Sequence, residues 1–487
     1  VSPYKSFLFQ GHVLDENGNK MSKSKGNVLE AKELLEKYPA DLVRFYFMWK
    51  SSPIEPLNFS TKELMSRPYQ VISTLYHLHT FYKQNSEYDN FSLEESTIEW
   101  AKKNELLTPP DVWLLSKLQR MIEKTTESNN SCRFHESAKA IEDFLINSLS
   151  QIYIPITKSE LWDEDDSKKD RRFTIYAILA KTLKTIDILM HPFAPFTTQY
   201  LYEAMFSEKE NILLESWPKV DTTLIDEKVE TSFDLLKETV SVTSAARMKG
   251  KLKRRWPLNQ ALICVSKGQK QVLESLSDLT KSQMNVQNYE IIEIEKTEGI
   301  EQYLELKEKG LPVMPKIELE RSAIGPKAKQ DMGKLLKMFS ETEPELIING
   351  LKEKNSYTFK IGENSIVLDK GDFIVDFEVN EKYQFAKRQN LIVIISLERD
   401  DEMMAKGLIK DLARRIQTLR KERGFNPTDI LSKASILDLD QDSLELIKEK
   451  TEEIAFLVRV KSVDFTDSCK EYKEDDIDGL KIRIGVE

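Results

Sequence analysis

The sequence predicts a multidomain protein with a short α/β segment, then an α-helical bundle, then an α+β region. Three observations predict this architecture. Short apolar runs flank a turn cluster within residues 1–61. Apolar residues recur at helical spacing over residues 62–235, and runs rich in β-branched and aromatic residues return over residues 236–487. A length of 487 residues, of which 40% are hydrophobic, accommodates about three domains of ordinary size.

The first segment combines strand, turn and helix signals. The run Phe7-Leu8-Phe9 predicts a strand, and Asp15-Glu16-Asn17-Gly18 predicts a turn. We expect a helix to start just after Gly26-Asn27, with Asn27 as one candidate N-cap, and to end at Tyr38-Pro39. A second helix should stop near Ser51-Ser52-Pro53, and its apolar face carries Leu42, Phe45, Tyr46 and Trp49.

Residues 62–235 contain three apolar stripes at helical spacing. Turns marked by proline, such as His191-Pro192, interrupt them. Several amphipathic helices joined by such turns predict a helical bundle. The stripes are Leu114, Leu115, Leu118, Met121 and Ile122; then Phe134, Ala138, Ile141, Leu145 and Leu149; then Phe173, Tyr176, Ala180, Leu183 and Met190.

Strand signals return in the last region and alternate with helical ones. Lys370-Gly371 lies between two strand signals and predicts a hairpin turn. A helix is predicted over residues 406–422, with Gly424 and then Pro427 as its C-terminal stop. The predicted strands are residues 261–265, 358–361, 366–368, 373–379 and 391–395.

The composition excludes several classes of protein. No apolar run approaches the length of a membrane span and no charged-then-apolar leader is visible, so we expect neither membrane insertion nor secretion. Cys132, Cys264 and Cys469 are far apart and form no C-x-x-C pair, so we expect neither a disulfide framework nor a zinc site, and a cytoplasmic location. The formal charge of −10 argues against non-specific coating of nucleic acid, although local basic clusters remain.

One loop combines cations, hydroxyls and glycine in a short space. Its residues are Lys20-Met21-Ser22-Lys23-Ser24-Lys25-Gly26-Asn27, and we call residues 20–27 the signature loop. Ammonium and hydroxyl groups between a turn and a helix start can surround a polyphosphate. The alternative is a solvated basic turn, since lysine and serine are common in surface turns.

Two later segments concentrate positive charge. Residues 247–258, which we call the basic segment, place six cations in nine residues next to Trp256. Such a run either contacts phosphates and stacks a base or forms solvated surface, and Trp256 either stacks or packs in the core. The predicted helix ending at Gly424 carries Arg414 and Arg415 beside its apolar stripe.

The order of motifs adds a family resemblance. Pro3-Tyr4-Lys5, residues 11–15, Gly18, the signature loop and residues 40–46 closely resemble the end of the Rossmann-like catalytic domain of class I aminoacyl-tRNA synthetases for isoleucine, valine and leucine. Further blocks resemble the anticodon-binding bundle of this family: residues 111–118, 144–154, 192–196 and 215–218. The basic segment and the blocks at residues 284–286, 324–327 and 408–421 favour the isoleucine type.

The resemblance implies roles for individual residues. Lys23 and Lys20 are the implied catalytic residues: Lys23 would stabilise the ATP triphosphate, while Lys20 and the hydroxyls of Ser22 and Ser24 would support the closed form of the loop. Together with Met21 these residues would form the ATP-binding loop. For tRNA binding it implies Lys251, Lys253, Arg254, Arg255, Trp256, Arg414 and Arg415. The implied substrates and partners are ATP with Mg²⁺, isoleucine and tRNA(Ile), and the implied state is a monomer without zinc.

Departures from the family pattern qualify these implications. Many relatives carry arginine and tryptophan where this chain has Gln151 and Ile152, glutamate at Gln199 and glycine at Pro39. Asp41 and Arg44 form either a structural ion pair or a ligand contact. We also expect a piece of a longer protein, because Val1 is not methionine and the family's first signature and editing domain do not occur. The missing cysteine module suggests the archaeal or eukaryotic branch.

Two alternatives stay open at this point. A valine-specific ligase shares the signature loop and the bundle, but usually ends in a coiled-coil arm with long heptads, and residues 440–487 show none. A non-catalytic tRNA-binding protein derived from a synthetase would tolerate decay of the signature loop, which is intact here. We expect this portion alone to bind tRNA without completing catalysis.

Overall fold

A computed structural model describes residues 7–163, 165–206, 211–362, 364–426, 429–477 and 479–487. The sequence motifs at Pro3-Tyr4-Lys5 and Pro427 lie outside the described residues. The chain forms two compact units, Val1–Phe233 and Asp234–Glu487. Helix α11 begins in the first unit and continues into the second.

The first unit is a small α/β segment followed by long helices. Its parallel strands β1 and β2 pair Val13 with Leu57 and Leu14 with Asn58. The strands are β1 (Val13–Leu14) and β2 (Leu57–Asn58), and the helices are α1 (Ala31–Lys37), α2 (Ala40–Lys50), α3 (Thr61–Leu64), α4 (Arg67–Tyr88), α5 (Ile98–Lys103), α6 (Pro109–Asn130), α7 (Phe134–Asp143), α8 (Ile154–Leu161), α9 (Lys169–Met190), α10 (Pro195–Met205) and α11 (Glu227–Lys249).

The bundle core follows the predicted apolar stripes. Leu114, Leu115 and Leu118 of α6 are buried, as are Leu183 and Met190 of α9. Helix α9 ends at Met190. His191 and Pro192 follow directly, and the chain turns there. Between α7 and α8 the chain forms a π-helix at Phe144–Tyr153. This wider helix was not predicted, because the apolar spacing of its sequence also suits an α-helix.

Strands and helices alternate in the second unit. The strands are β3 (Leu258–Ser266), β4 (Val286–Ile294), β5 (Val313–Leu319), β6 (Ser356–Ile361), β7 (Asn364–Asp369), β8 (Phe373–Val379), β9 (Tyr383–Arg388), β10 (Leu391–Ser396), β11 (Ala434–Leu437), β12 (Val463–Asp464), β13 (Lys473–Ile477) and β14 (Leu480–Val486). The helices are α12 (Gln269–Glu274), α13 (Ser277–Met284), α14 (Gly299–Glu308), α15 (Arg321–Ala328), α16 (Met332–Glu341), α17 (Pro344–Lys354), α18 (Asp401–Glu422), α19 (Gln441–Ile447) and α20 (Thr451–Val458).

Two four-stranded sheets organise this unit. In the first, with strand order β4-β3-β10-β9, β3 and β4 are parallel and α12 and α13 connect them, while β10 is antiparallel to both neighbours. The second sheet has the order β12-β11-β14-β13 and shares an apolar core with α18, whose Leu408, Leu412 and Ile416 are buried there. Two-stranded ladders pair β5 with β8 and β6 with β7.

The structure corrects three local predictions. Phe7-Leu8-Phe9 forms no strand and its side chains are exposed. Lys370-Gly371 is not a hairpin turn: it lies in a 3₁₀ turn, and the flanking strands β7 and β8 pair with β6 and β5 instead of with each other. Helix α18 begins at Asp401, five residues before the predicted start, because Asp400 caps it by accepting a bond from the Met403 N–H.

Candidate functional site

The signature loop is a short structured turn. A β-bridge joins Leu14 to Lys20 at its start, and residues Lys23–Lys25 form one 3₁₀ turn. Gly26 ends that turn with φ +67°, a left-handed conformation that glycine adopts without steric cost. The backbone therefore reverses direction within a few residues and leaves the intervening side chains on the outside.

Asn27 is the anchor of this loop and not a helix cap. Its Oδ1 accepts a 2.9 Å hydrogen bond from the Ser22 N–H, and its Nδ2 donates to Asp15 Oδ2 at 2.9 Å and to the Lys20 carbonyl at 3.3 Å. The predicted N-cap role is wrong, because α1 begins at Ala31 with Glu30 as its N-cap residue. The side chain of Asn27 instead closes the loop across its base.

Asp15 supports Asn27 from the neighbouring turn. Its Oδ1 accepts hydrogen bonds from the backbone N–H groups of Asn17 at 3.0 Å and Asn19 at 2.7 Å. The hydrogen bond from Asn27, followed by that from the Asn19 N–H, lowers the pKa of Asp15 below its usual 3.8. The sequence predicts a turn here but not this role of Asp15, although a pair of Asp and Asn residues flanking a short loop is a usable signal.

The five residues predicted to bind ATP divide into anchoring and exposed groups. Met21 packs against the apolar cluster around Leu34 and Tyr46, which fixes one side of the loop. The hydroxyls of Ser22 and Ser24 lie 3.2 Å apart. Lys20 is exposed, and the side chain of Lys23 is 86% exposed, with its ammonium 3.6 Å from Glu30.

This arrangement suits an anionic ligand. Exposed ammonium groups beside two hydroxyls, which are hydrogen-bonded to each other, can bind phosphate oxygens without first breaking a buried contact. The ion pair between Lys23 and Glu30 contributes little, because both side chains are more than half exposed to water. The cation of Lys23 is thus available to a polyphosphate at little cost.

Asp41 and Arg44 have structural partners within the first unit. Asp41 is buried, and its carboxylate accepts hydrogen bonds from Arg44 Nη1 at 3.0 Å and from the Thr197 N–H at 2.6 Å, in the first turn of α10. The guanidinium of Arg44 also lies 5.9 Å from the ring centroid of Phe196. The structural ion pair, one of the two alternatives drawn from the sequence, is the one that the structure shows.

The residues that depart from the family pattern lie on the bundle surface or at its edge. Gln151 is exposed and Ile152 is half-buried, both within the π-helix. Gln199 accepts a 3.1 Å hydrogen bond from the Ile212 N–H and donates to Glu203 at 2.6 Å. Gln199 therefore has a local structural role that does not require a carboxylate.

In the second unit, Arg247 is the buried residue of the basic segment that binds the backbone of its neighbours. Its guanidinium is buried and donates to four backbone carbonyls, those of Lys253, Trp256, Met284 and Asn285, at 2.7–3.1 Å. Burial, with the neighbouring positive charges of Arg254 and Arg399, lowers the pKa of Arg247 to about 10. This arginine fastens the segment to the start of β4 and is unavailable to a ligand.

Three further residues of the basic segment contact the buried carboxylate of Asp411 on α18. Trp256 Nε1 donates to its Oδ2 at 3.0 Å, Lys253 Nζ lies 3.5 Å from the same oxygen, and Arg255 Nε lies 2.8 Å from Oδ1. Trp256 is only 9% exposed. Of the two roles considered for this tryptophan, the structure shows packing in the core.

The seven residues predicted to bind tRNA are thus not equivalent. Lys251, Arg254 and Arg414 are exposed, whereas Lys253, Arg255 and Trp256 contact Asp411. Arg415 is also committed: its Nε lies 3.2 Å from Asp475, and its guanidinium donates to the carbonyls of Asp411 and Asp476. Side-chain spacing in the sequence could not separate exposed from bound cations within the basic segment, because they alternate along one short run.

In the described part of the chain, no cluster of three or more histidine, cysteine, aspartate or glutamate side chains could hold a metal ion. None of the described helices combines the length and apolar character that a membrane crossing requires.

Two family models match the chain. The model for class I tRNA synthetases of the I, L, M and V types matches residues 1–60, and the model for the anticodon-binding domain of tRNA ligases matches residues 111–262. The predicted resemblance to class I synthetases and to their anticodon-binding domain is thus confirmed for these two ranges. The first match contains the signature loop, and the second contains the whole basic segment.

Individual relatives extend the similarity to the whole chain. An isoleucine–tRNA ligase from Methanopyrus kandleri is 26% identical over 99% of this chain and 43% of its own length. An isoleucine–tRNA ligase from Porphyromonas gingivalis is 27% identical over 100% of this chain and 41% of its own length. A methionyl-tRNA synthetase structure from Mycobacterium tuberculosis, solved with methionyl-adenylate, is 17% identical over 39% of this chain and 36% of that one, with a TM-score of 0.34. The chain spans less than half the length of these curated relatives, and its predicted resemblance to the isoleucine type is confirmed.

Proposed function

We propose that this chain is the C-terminal portion of an isoleucine–tRNA ligase. The full protein would join isoleucine to ATP as an aminoacyl-adenylate and then transfer the acyl group to tRNA(Ile). The observation that carries this proposal is an intact and exposed signature loop in a chain similar over its whole length to isoleucine–tRNA ligases. Residues 1–61 would then end the Rossmann-like catalytic domain, residues 62–235 form the anticodon-binding bundle, and residues 236–487 contact tRNA.

The signature loop would act on the leaving pyrophosphate. Negative charge grows on the β- and γ-phosphates as the adenylate forms, and a cation already in place lowers that barrier. Lys23 fits this role because its ammonium is exposed. Lys20, Ser22 and Ser24 would bind further phosphate oxygens, and the Mg²⁺ that accompanies ATP would belong to the substrate and not to a protein site.

The exposed cations of the second unit would bind tRNA. The side chains of Lys251, Arg254 and Arg414 are exposed to solvent. Their ammonium and guanidinium groups can therefore displace counterions from RNA phosphates. The chain's formal charge of −10 makes such a local cluster necessary for binding a polyanion. We assign a monomer as the working state.

Isoleucine-dependent exchange of pyrophosphate into ATP by the full-length protein tests this proposal. We expect isoleucine to support exchange and valine to do so roughly 10–200 times less efficiently, the range for discriminating one methylene and one already known for enzymes of this kind. Preference for valine would identify the valine-specific alternative. RNA binding without any exchange would identify a non-catalytic tRNA-binding protein.

A further inference from the structure

The carboxylate of Asp411 is a buried negative charge inside a basic surface. The residue is 0% exposed and lies in the middle of α18. Removing a carboxylate from water is costly unless cations and donors compensate it. Lys253, Arg255 and the Trp256 indole supply that compensation at 2.8–3.5 Å. The groups that compensate this charge therefore come from the basic segment and not from helix α18, so burial of the carboxylate depends on the conformation of that segment.

A second contact fixes the same segment one helical turn earlier. Gly407 lies against the Trp256 ring so closely that a Cβ atom there would approach ring carbon Cδ2 to 2.5 Å. The guanidinium of Arg399 lies 4.9 Å from the centroid of the same ring. Trp256 is held by packing as well as by its hydrogen bond, so the segment has little freedom to move away from α18.

The sequence alternates held and exposed cations. Lys253 and Arg255 are bound by Asp411, while Arg254 between them is exposed. Because both neighbours of Arg254 are fixed, its side chain is directed outward. Lys251 is exposed two residues before Lys253 and has φ +54°, so the backbone turns sharply just before the held residues.

We propose that Asp411 is a positioning residue for tRNA binding, which rests on the function proposed above. By holding Lys253, Arg255 and Trp256, its carboxylate presents Lys251 and Arg254 to RNA phosphates. Lys253, Arg255 and Trp256 then make no RNA contact themselves. A buried negative charge would thus raise the affinity of this surface for a polyanion.

The sign of one substitution distinguishes positioning from simple electrostatics. Asp411→Asn removes a negative charge, so electrostatics alone predicts tighter tRNA binding. Positioning predicts weaker binding, by about tenfold, the middle of the range for coupling within one polar network. The measurement is the Kd of the 487-residue chain for a tRNA(Ile) transcript at several salt concentrations, with Asp442→Asn, which removes an exposed carboxylate in the same unit, as the matched control.

Salt dependence separates the two groups of cations. Replacing both Lys251 and Arg254 with alanine should flatten the slope of log K against log salt by about two, since each phosphate contact contributes roughly 0.9. Arg255→Gln should weaken binding and leave that slope unchanged. A slope reduced by about one in Arg255→Gln would show that Arg255 contacts RNA and would overturn the proposal.

The remaining outcomes are also decisive. If Asp411→Asn does not fold, Trp256→Phe keeps an aromatic ring in the core but removes the indole N–H donor to Asp411 together with part of the ring volume. It should weaken tRNA binding by at least about threefold, the effect of losing one hydrogen bond. Folded Asp411→Asn or Trp256→Phe with unchanged or tighter binding contradicts positioning while the proposed function stands. A wild-type chain that binds the transcript no better than unrelated RNA contradicts both.

Discussion

The signature loop and the basic segment both place several cations within a few residues, but different groups hold them in place. Asn27 and Asp15 close the signature loop, so none of its lysines is needed to hold the backbone. The basic segment is held by its own cations, because Arg247 binds backbone carbonyls and Lys253 and Arg255 bind Asp411. The number of cations in the sequence therefore matches the number available to a ligand in the signature loop, but exceeds the number available in the basic segment.

The difference has a chemical reason. A group that stabilises charge developing on a leaving phosphate must be free before the ligand arrives. On a surface that follows an RNA backbone, the phosphate contacts fix register and orientation, so the charges must lie at fixed positions. The first requirement favours an anchor that uses no cation, such as the pair of Asn27 and Asp15, and the second allows some cations to serve as anchors.

The largest expected effect tests whether the loop cations are functionally available. In the full-length protein, Lys23→Ala should slow isoleucine-dependent ATP–pyrophosphate exchange by roughly 10²–10³-fold, the usual cost of removing one charge-stabilising group. Affinity for tRNA should change little, because Lys23 lies in the first unit and not in the basic segment. Lys32→Ala on the exposed face of α1 is the matched control. An unchanged exchange rate in Lys23→Ala would show that the exposed cation of the signature loop does not act on the leaving pyrophosphate.

A smaller effect tests how firmly the basic segment is held. Gly407→Ala places a methyl group about 2.5 Å from the buried Trp256 ring, which must shift. We expect a loss of about 1–3 kcal/mol in the free energy of unfolding, despite the better helix propensity of alanine. Urea unfolding followed by circular dichroism measures it. Gly333→Ala in α16, where a Cβ atom meets nothing within 4 Å, should stay within about 0.5 kcal/mol of wild type; equal effects of the two substitutions would mean that Trp256 is loosely held.

The smallest effect concerns the anchor of the signature loop. Because the pKa of Asp15 is lowered in the folded state, its contribution to stability is present above pH 3.8 and is lost as the pH falls through the folded-state value. Asn27→Ala should move the Asp15 titration midpoint upward towards 3.8, since Asn27 is the largest cause of the shift. NMR titration of the Asp15 carboxyl measures the midpoint. Asn17→Ala is the control, because Asn17 donates through its backbone and should leave the midpoint in place.

The helical stripes were predictable because they depend on local periodicity. The stripes at Leu114–Ile122 on α6 and at Leu408–Leu419 on α18 follow from side-chain spacing alone, and both are buried as expected. Motif order also predicted the signature loop. Strand pairing was less accessible: β7 and β8 are neighbours in sequence but pair with different strands, because pairing depends on contacts far along the chain.

The sequence by itself determined which residues carry charge and chemistry, since Lys23, Arg254 and Trp256 are recognisable from their neighbours in the chain. Tertiary structure alone decided which of them are free. Asp411 is more than 150 residues from the basic segment, yet its buried carboxylate binds Lys253 and Arg255 and leaves Lys251 and Arg254 exposed. Local patterns report the charge of a side chain, whereas its availability depends on partners that only folding brings within hydrogen-bonding distance.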